Sequence, residues 1–406
     1  MSPQASFYRP AWLLLLCALL AALALPQAAH ASEVENMRRL AAQGDAGAQF
    51  TLGFIYEHGP SSPQNYANAV RWYRAAAEQG HAPAQNSLGL AYEFGRGVPQ
   101  NHANAVRWYR AAAEQGHALA QTNLGFMHAN GRGVPQNHAT AVRWYRAAAE
   151  QGHADAQNFL GIKYFIGQGL PQNHANAVLW YRAAAEQGFA LAQTNLGFMY
   201  QGGHGVPQNY ANAVRWYRAA AEQGDAGAQF SLGNMYKSGE GVPQNHANAV
   251  RWFRAAAEQG GADAQFNLAL MYANGRGVPQ NDANAVRWYR LAAAQGDAGA
   301  QTNLGVMYDN GRGVPQNHAA AVRWYRAAAV QGNARAQNNL GLMYFSGQGV
   351  PRNLVNAHMW ANLAAAQGNS GAADTRERIA QQMSPAQLAQ AQRRASACLA
   401  ANYRNC

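Results

Sequence analysis

The chain has 406 residues, a formal charge of +11 and only 13% charged residues. Its basic residues are arginines apart from Lys163 and Lys237, and no long charge run suggests a disordered nucleic-acid tail. Two or three ordinary domains would suit this length, but internal self-similarity has to be read before the chain is divided that way.

Arg9 precedes the 15-residue apolar run Ala11–Leu25, which is followed by Pro26 and the small-residue site "AHA" ending at Ala31. This charged, apolar and cleavage-site order is that of a secretory signal peptide, residues 1–31. The run falls short of the roughly 18 apolar residues that mark a membrane span, so the chain is read as not membrane-spanning. Leucines, rather than small residues, precede Cys17, which argues against a lipid anchor. A periplasmic or secreted location is expected, with Cys398 and Cys406 as the cysteines left after cleavage. An oxidising compartment and an even count favour a disulfide between them, two free thiols being the alternative.

Residues 32–44 read as an N-terminal capping helix, "ENMRRLAAQG" being a lone second helix. Trp72, Trp108, Trp144, Trp180, Trp216, Trp252, Trp288, Trp324 and Trp360 then recur every 36 residues without a slip. The repeats run 45–80, 81–116, 117–152, 153–188, 189–224, 225–260, 261–296, 297–332 and 333–368. A strict period in this range signals a solenoid, in which each repeat buries its apolar face against its neighbours.

Each repeat reads as two helices. In the second repeat, Ala84, Leu88, Gly89 and Tyr92 form one stripe on a first helix over His81–Phe94. Pro83 is tolerated in its first turn, and Gly95 ends it. Asn101 is the expected N-cap of a second helix, His102–Gln115, with Gly116 as its stop. Ala105, Trp108, Tyr109 and Ala112 share one face of that helix. The Trp column is therefore expected in the solenoid core, against the alternative of a stacking platform for sugars or bases.

The pattern carried by Ala84, Leu88, Gly89, Tyr92, Gly95, Gly97, Val98, Ala105, Trp108, Tyr109, Ala112, Ala113 and Gly116 resembles the Sel-one-like repeat family, relatives of tetratricopeptide repeats. The resemblance covers residues 45–368. It implies an all-α fold, a right-handed α/α superhelix of nine helix-turn-helix repeats, with each first helix lining the concave side. It also implies a role in assembling protein complexes, often in bacterial envelopes. Residues 369–406 are expected to close the stack as a helical cap, whose last helix starts at Ser384-Pro385 with Gln387 in the capping-box place.

No arrangement of nucleophile, phosphate loop or metal ligands has its proper context in this sequence. Neither lysine follows a serine at the S-x-x-K spacing of penicillin-handling enzymes. His102, His138, His174, His246 and His318 share a column at the start of the second helix. Packed helices lie roughly 8–10 Å apart, so two of these histidines cannot share one zinc at about 2.0–2.1 Å. They are read as solvated helix-start residues. No catalytic residue, metal or cofactor is assigned.

Two surfaces are candidates for a partner. The first helices vary most between repeats, and Phe54, Phe126, Phe198, Phe230 and Phe266 are expected to line a concave groove suited to a peptide or helix. The second surface is basic: residues 261–406 hold 13 basic against 6 acidic residues, whereas 32–260 hold 17 against 14. In the second helices Arg74, Arg110 and Arg254 are expected to pair with Glu78, Glu114 and Glu258 one turn on. Ala294 and Val330 replace that glutamate beside Arg290 and Arg326, leaving these two arginines expected unpaired. With Arg393 and Arg394 they form the candidate site for an anionic envelope component. Nucleic acid is not expected, because the sequence carries no base-reading motif. The reading is a non-catalytic protein-interaction scaffold of the envelope or the secreted fraction. Its alternatives are a secreted host-interaction factor and an enzyme acting on cell-wall material or β-lactams.

Overall fold

The computed structural model describes residues 27–59, 63–403 and 406, so the apolar run of the expected signal segment lies outside the described residues. Twenty-one helices and no strand occur among those described residues, as an α/α solenoid requires. They fall into two compact units, Met1–Phe189 and Ala190–Cys406. The first contains the helix Gln27–Ala42 and the helix pairs of repeats one to four. The second contains the pairs of repeats five to nine and two closing helices.

Local signals set the helix limits. Helix Ala82–Phe94 begins one residue later than expected, because His81 is its N-cap and accepts a hydrogen bond from the Ala84 amide at 3.3 Å. Asp45, Asp225, Asp297 and Asn333 cap the corresponding helices of other repeats. Gly95 ends the helix in the left-handed conformation. Asn101 caps His102–Glu114 by accepting from the Asn104 amide at 2.9 Å.

The core differs from the expectation in which aromatic fills it. Tyr109 is wholly buried, as are Tyr73, Tyr145, Tyr217 and Tyr325. Gly89 has a specific reason: a Cβ at that position would sit 2.6 Å from the Tyr109 ring. Of the Trp column only Trp252, Trp288 and Trp360 are buried, and the other six are half-exposed. Trp108 lies against the core of the preceding repeat, beside the cluster that contains Tyr73, and Trp144 lies likewise against the cluster that contains Tyr109. The tryptophans therefore seal the joints between repeats. An arginine one residue earlier covers several of the exposed faces, as Arg107 does over Trp108 at 5.3 Å and Arg215 over Trp216 at 5.1 Å.

Glutamines fasten one repeat to the next. Gln85 is buried and donates to the carbonyl of Ala77 in the preceding repeat at 3.1 Å. It accepts in turn from Gln115 at 2.7 Å. The same arrangement recurs at Gln121, Gln157, Gln229, Gln265, Gln301 and Gln337. A buried amide must be satisfied, so each of these bonds holds the offset between neighbouring repeats.

At the C-terminal end, helices Ser370–Ala380 and Pro385–Ala400 cover the last repeat, burying Ile379, Ala391 and Ala395. Ser384 and Gln387 form a reciprocal capping box. Cys398 and Cys406 are joined in a disulfide with Cα atoms 5.2 Å apart. Between them, Asn402 and Tyr403 take positive φ, and Tyr403 packs against the core of the last two repeats.

Candidate partner-binding surface

The first helices carry two variable columns that point to different places. Phe54 and Phe126 are half-exposed and Phe198 is exposed, so this column faces outward. Phe230 and Phe266 belong to the other column and turn inward, where their rings lie 5.9 Å from Phe253 and 6.1 Å from Tyr289. The five phenylalanines expected to line one groove therefore stand in two columns, and Phe230 and Phe266, half-exposed like Phe54 and Phe126, also rest on core aromatics. Asn86, Thr122 and Thr302 in the same column are buried. The spacing of four residues between the columns places them about 40° apart around the helix, enough to separate core from surface.

In the first compact unit, Phe126 lines a cavity of about 250 Å³ together with Leu90, Phe94, Leu119, Asn123 and Phe159. Phe94 is 55% exposed and Leu119 41% exposed. Both sit at the ends of first helices, outside the columns compared in the sequence, and only their shared rim makes them neighbours. Arg96 lies over the Phe94 ring at 5.4 Å and Arg132 over Phe126 at 5.3 Å, while Glu93 and Asp155 also line the cavity, so the apolar floor has a rim of mixed charge.

The Sel1 repeat model matches nine consecutive segments: 46–81, 82–117, 118–153, 154–189, 190–225, 226–261, 262–297, 298–333 and 334–369. The chain belongs to the Sel1 repeat family. Among solved structures, a protein of uropathogenic Escherichia coli strains, described as a protective antigen with the same repeat fold, is 34% identical. That likeness covers 91% of this chain and 96% of the other, with a TM-score of 0.52. A Sel1 repeat protein from Oxalobacter formigenes is 36% identical over 76% of this chain and 89% of the other, with a TM-score of 0.58. Comparison with curated proteins returned no match. Sel1-repeat solenoids are generally scaffolds for protein interaction, so protein partners are the coarse expectation for this chain.

The second-helix arginines of this Sel1 chain bind elsewhere than expected. Arg74 donates to the Tyr92 hydroxyl of the next repeat at 2.9 Å, and Arg254 donates to Tyr272 at 2.7 Å. No ion pair between Arg74 and Glu78, Arg110 and Glu114 or Arg254 and Glu258 occurs among the described residues. Arg290 and Arg326, expected unpaired, donate to Tyr308 and Tyr344, each at 2.6 Å. A hydroxyl on the next repeat outcompetes a glutamate whose long side chain would lose rotamer freedom on an exposed face. These bonds orient the two guanidinium groups, whereas Arg393 and Arg394 lie exposed on the final helix, with Arg394 donating to Asn356 at 2.7 Å.

The histidine column departs from its reading as solvated. His102, His138 and His246 are half-buried, each with an Nδ1 that is buried and without a hydrogen-bond partner. His138 contacts Gln168 of the next repeat through Nε2 at 2.8 Å, and burial pushes its pKa down. The backbone explains the placement: the second glycine of each turn packs on the start of the preceding second helix, and a Cβ on Gly133 would overlap the His102 carbonyl. Among the described residues no group of three or more His, Cys, Asp or Glu is placed to hold a metal ion.

One column, unread in the sequence beyond its variability, organises the electrostatics of the joints. Glu93 is buried, accepts from the Tyr109 hydroxyl at 2.6 Å, and lies 3.8 Å from Arg132 of the next repeat. Glu57, with Tyr73 and Arg96, repeats this at 2.6 and 3.9 Å. Burial and the neighbouring carboxylates drive both phenol pKa values far above their ordinary value. The signal available in the sequence was the joint recurrence of Glu, Tyr and Arg at fixed offsets.

Proposed function

We propose that this Sel1 chain is a non-catalytic scaffold of the bacterial envelope or the secreted fraction, and that it holds a protein partner on the outward face of its first helices. The single observation that carries this is the cavity bounded by Phe94, Leu119 and Phe126. Apolar side chains there remain exposed beside polar Asn123 and a rim of mixed charge that includes Arg96, Arg132 and Asp155. An amphipathic helix or extended segment fits such a surface, its apolar residues entering the cavity and its polar residues meeting Asn123 and the rim. In the expected superhelix this is the concave side. Export rests on the order of features in residues 1–31, and no helix among the described residues is long and apolar enough to cross a membrane. The 34%-identical protective antigen supports a chain that leaves the cytoplasm.

Cross-linking in cells, followed by affinity capture of the full chain, identifies the partner. Its binding is then compared between the native protein, a Phe94→Ser/Leu119→Ser variant and an Arg393→Gln/Arg394→Gln variant. Loss confined to the first variant, with little change between low salt and 0.15 M, is the expected result. Loss confined to the second, with steep salt dependence, places the partner on the basic end instead. Fractionation of cells expressing the full chain tests export, and a mature protein retaining residues 1–31 in the cytoplasm defeats it.

A further inference from the structure

The joint between repeats six and seven inverts the charge arrangement found at three other joints. At the first two joints a glutamate of one repeat, Glu57 or Glu93, faces an arginine in the turn of the next, Arg96 or Arg132. In repeat eight the same column holds Asp309, whose carboxylate lies 2.8 Å from His318 Nδ1. Three joints thus place a carboxylate at one spot, two with an arginine against it and one with a histidine.

At repeat six the arginine and histidine positions are kept and the carboxylate is lacking. Arg276 stands in the place of Arg96 and Arg132, His246 stands in the place of His318, and the acidic column position is Lys237. All three line one cavity of about 680 Å³, with Asn267, Asn274 and Gln244. Neither Lys237 nor Arg276 forms an ion pair with a carboxylate of the described residues. Asp282, in the following repeat, is held by Arg312 at 2.8 and 3.1 Å. The partner of the missing carboxylate has changed too. The tyrosine whose hydroxyl donates to Glu57 or Glu93 is Phe253 here, and the Lys237 ammonium lies 5.6 Å from the centre of its ring. Asn267 accepts from Lys237 at 2.9 Å and holds the ammonium at the cavity wall.

We propose that this cavity binds a carboxylate supplied by an acidic segment of a protein partner, seated between Lys237, His246 and Arg276 where three other joints carry a carboxylate of their own. Arginine and lysine side chains that converge on a partly desolvated cavity repel one another, and an anion between them converts repulsion into charge-assisted hydrogen bonds. Burial lowers the Lys237 pKa, which an incoming carboxylate would reverse. The amide groups of Asn267, Asn274 and Gln244 supply further donors. The inference rests on the scaffold reading for its source of carboxylate, although the cavity itself can be tested without that partner.

Isothermal titration of the full chain with an acetylated hexaglutamate peptide, its hexaglutamine counterpart and inorganic phosphate tests this. The expected result is binding of hexaglutamate alone, weakened about tenfold or more by Lys237→Glu, which restores the internal carboxylate, and also by Arg276→Gln. Arg38→Gln/Arg39→Gln, on the exposed face of the first helix, Gln27–Ala42, removes as much positive charge as Lys237→Glu and should leave the affinity unchanged. Glu57 and Glu93 show that the column takes a glutamate, and Arg276 is exposed, so both variants should melt like the native protein. The proposal is overturned if the native chain does not bind hexaglutamate, if phosphate binds in its place, or if the matched-charge variant loses affinity as much as Lys237→Glu. Those outcomes leave the scaffold reading standing, because capture through Phe94 and Leu119 uses the other compact unit.

Discussion

Gln151 donates to Gln121 Oε1 at 2.8 Å while Gln121 donates to the carbonyl of Ala113 in the preceding repeat at 3.1 Å. The pair links a helix to its own partner and to the repeat before it. Gln121→Met keeps the volume but leaves the Ala113 carbonyl buried without this donor. A loss of about 1–3 kcal/mol in unfolding free energy is expected from chemical denaturation, with helical content by circular dichroism unchanged. A variant as stable as the native chain would show that the glutamine column is incidental to packing.

The core tyrosine should outrank the conspicuous tryptophan. Tyr145 is almost wholly buried and Trp144, its neighbour in sequence, is half-exposed at the joint. Tyr145→Ala should cost about 3–5 kcal/mol, in the range of large aromatic truncations. Trp144→Ala should cost about 1–3 kcal/mol, because a half-exposed ring has less transfer energy to lose. Thermal melts of the two variants rank them directly, and the reverse order contradicts the assignment of the core.

Tyr109→Phe removes the hydroxyl that donates to buried Glu93 and leaves Arg132 as the carboxylate's ion-pair partner. Hydrogen bonds to a charged group contribute about 1.5–3 kcal/mol, and a loss of that size is expected. The double variant Tyr109→Phe/Glu93→Gln should recover part of it, since the buried carboxylate that lost a donor is gone. A double-mutant cycle with zero coupling would refute the pairing.

Acid should loosen the first compact unit through its histidine caps. His81 and His117 accept amide hydrogens through Nδ1 at 3.3 and 3.2 Å, which requires that nitrogen to be unprotonated. Burial lowers the pKa of both, and His153 and His81 lower that of His117 further, whereas Asp45 opposes the shift at His81. With the folded pKa below the unfolded value of about 6.5, the unfolded chain binds more protons as pH falls. The stabilisation is therefore complete above that value and is lost on acidification towards and below the folded pKa. Melting temperatures between pH 7.5 and pH 5 should fall less for a His117→Asn variant than for the native chain. Asn caps the equivalent helix at Asn333 without titrating in that range.

The Cys398–Cys406 bridge ties the Tyr403 turn to the core of the last repeats. Denatured mature protein should expose no reactive thiol, and reduction should add the mass of two hydrogens. Cys398→Ser/Cys406→Ser should loosen the final helix by about 2–3 kcal/mol, the low end for a disulfide because the closed loop is short. Faster amide exchange confined to residues near the C-terminus is the expected signature.

Read from residues alone, the sequence determined the period, the two helices of each repeat and the caps. Those features depend on contacts within a few residues, such as the Asn101 cap, the left-handed Gly95 and the capping box of Ser384 and Gln387. It also determined family membership, since a pattern repeated nine times leaves little else to resemble. Which side of each helix meets a neighbour was decided only by tertiary packing. Phe230 and Phe126 stand on first helices and look alike in a column of letters, yet one packs on Phe253 and the other lines a cavity. The arginines after the tryptophans face a glutamate one turn away in sequence and a tyrosine hydroxyl 18 residues away in space, and the structure chose the hydroxyl. Such choices follow from the offset between repeats, which the buried glutamines and the glycine turns set across distances that no local pattern records. The carboxylate missing beside Lys237, His246 and Arg276 belongs to the same class, visible only once the joints are laid over one another in three dimensions.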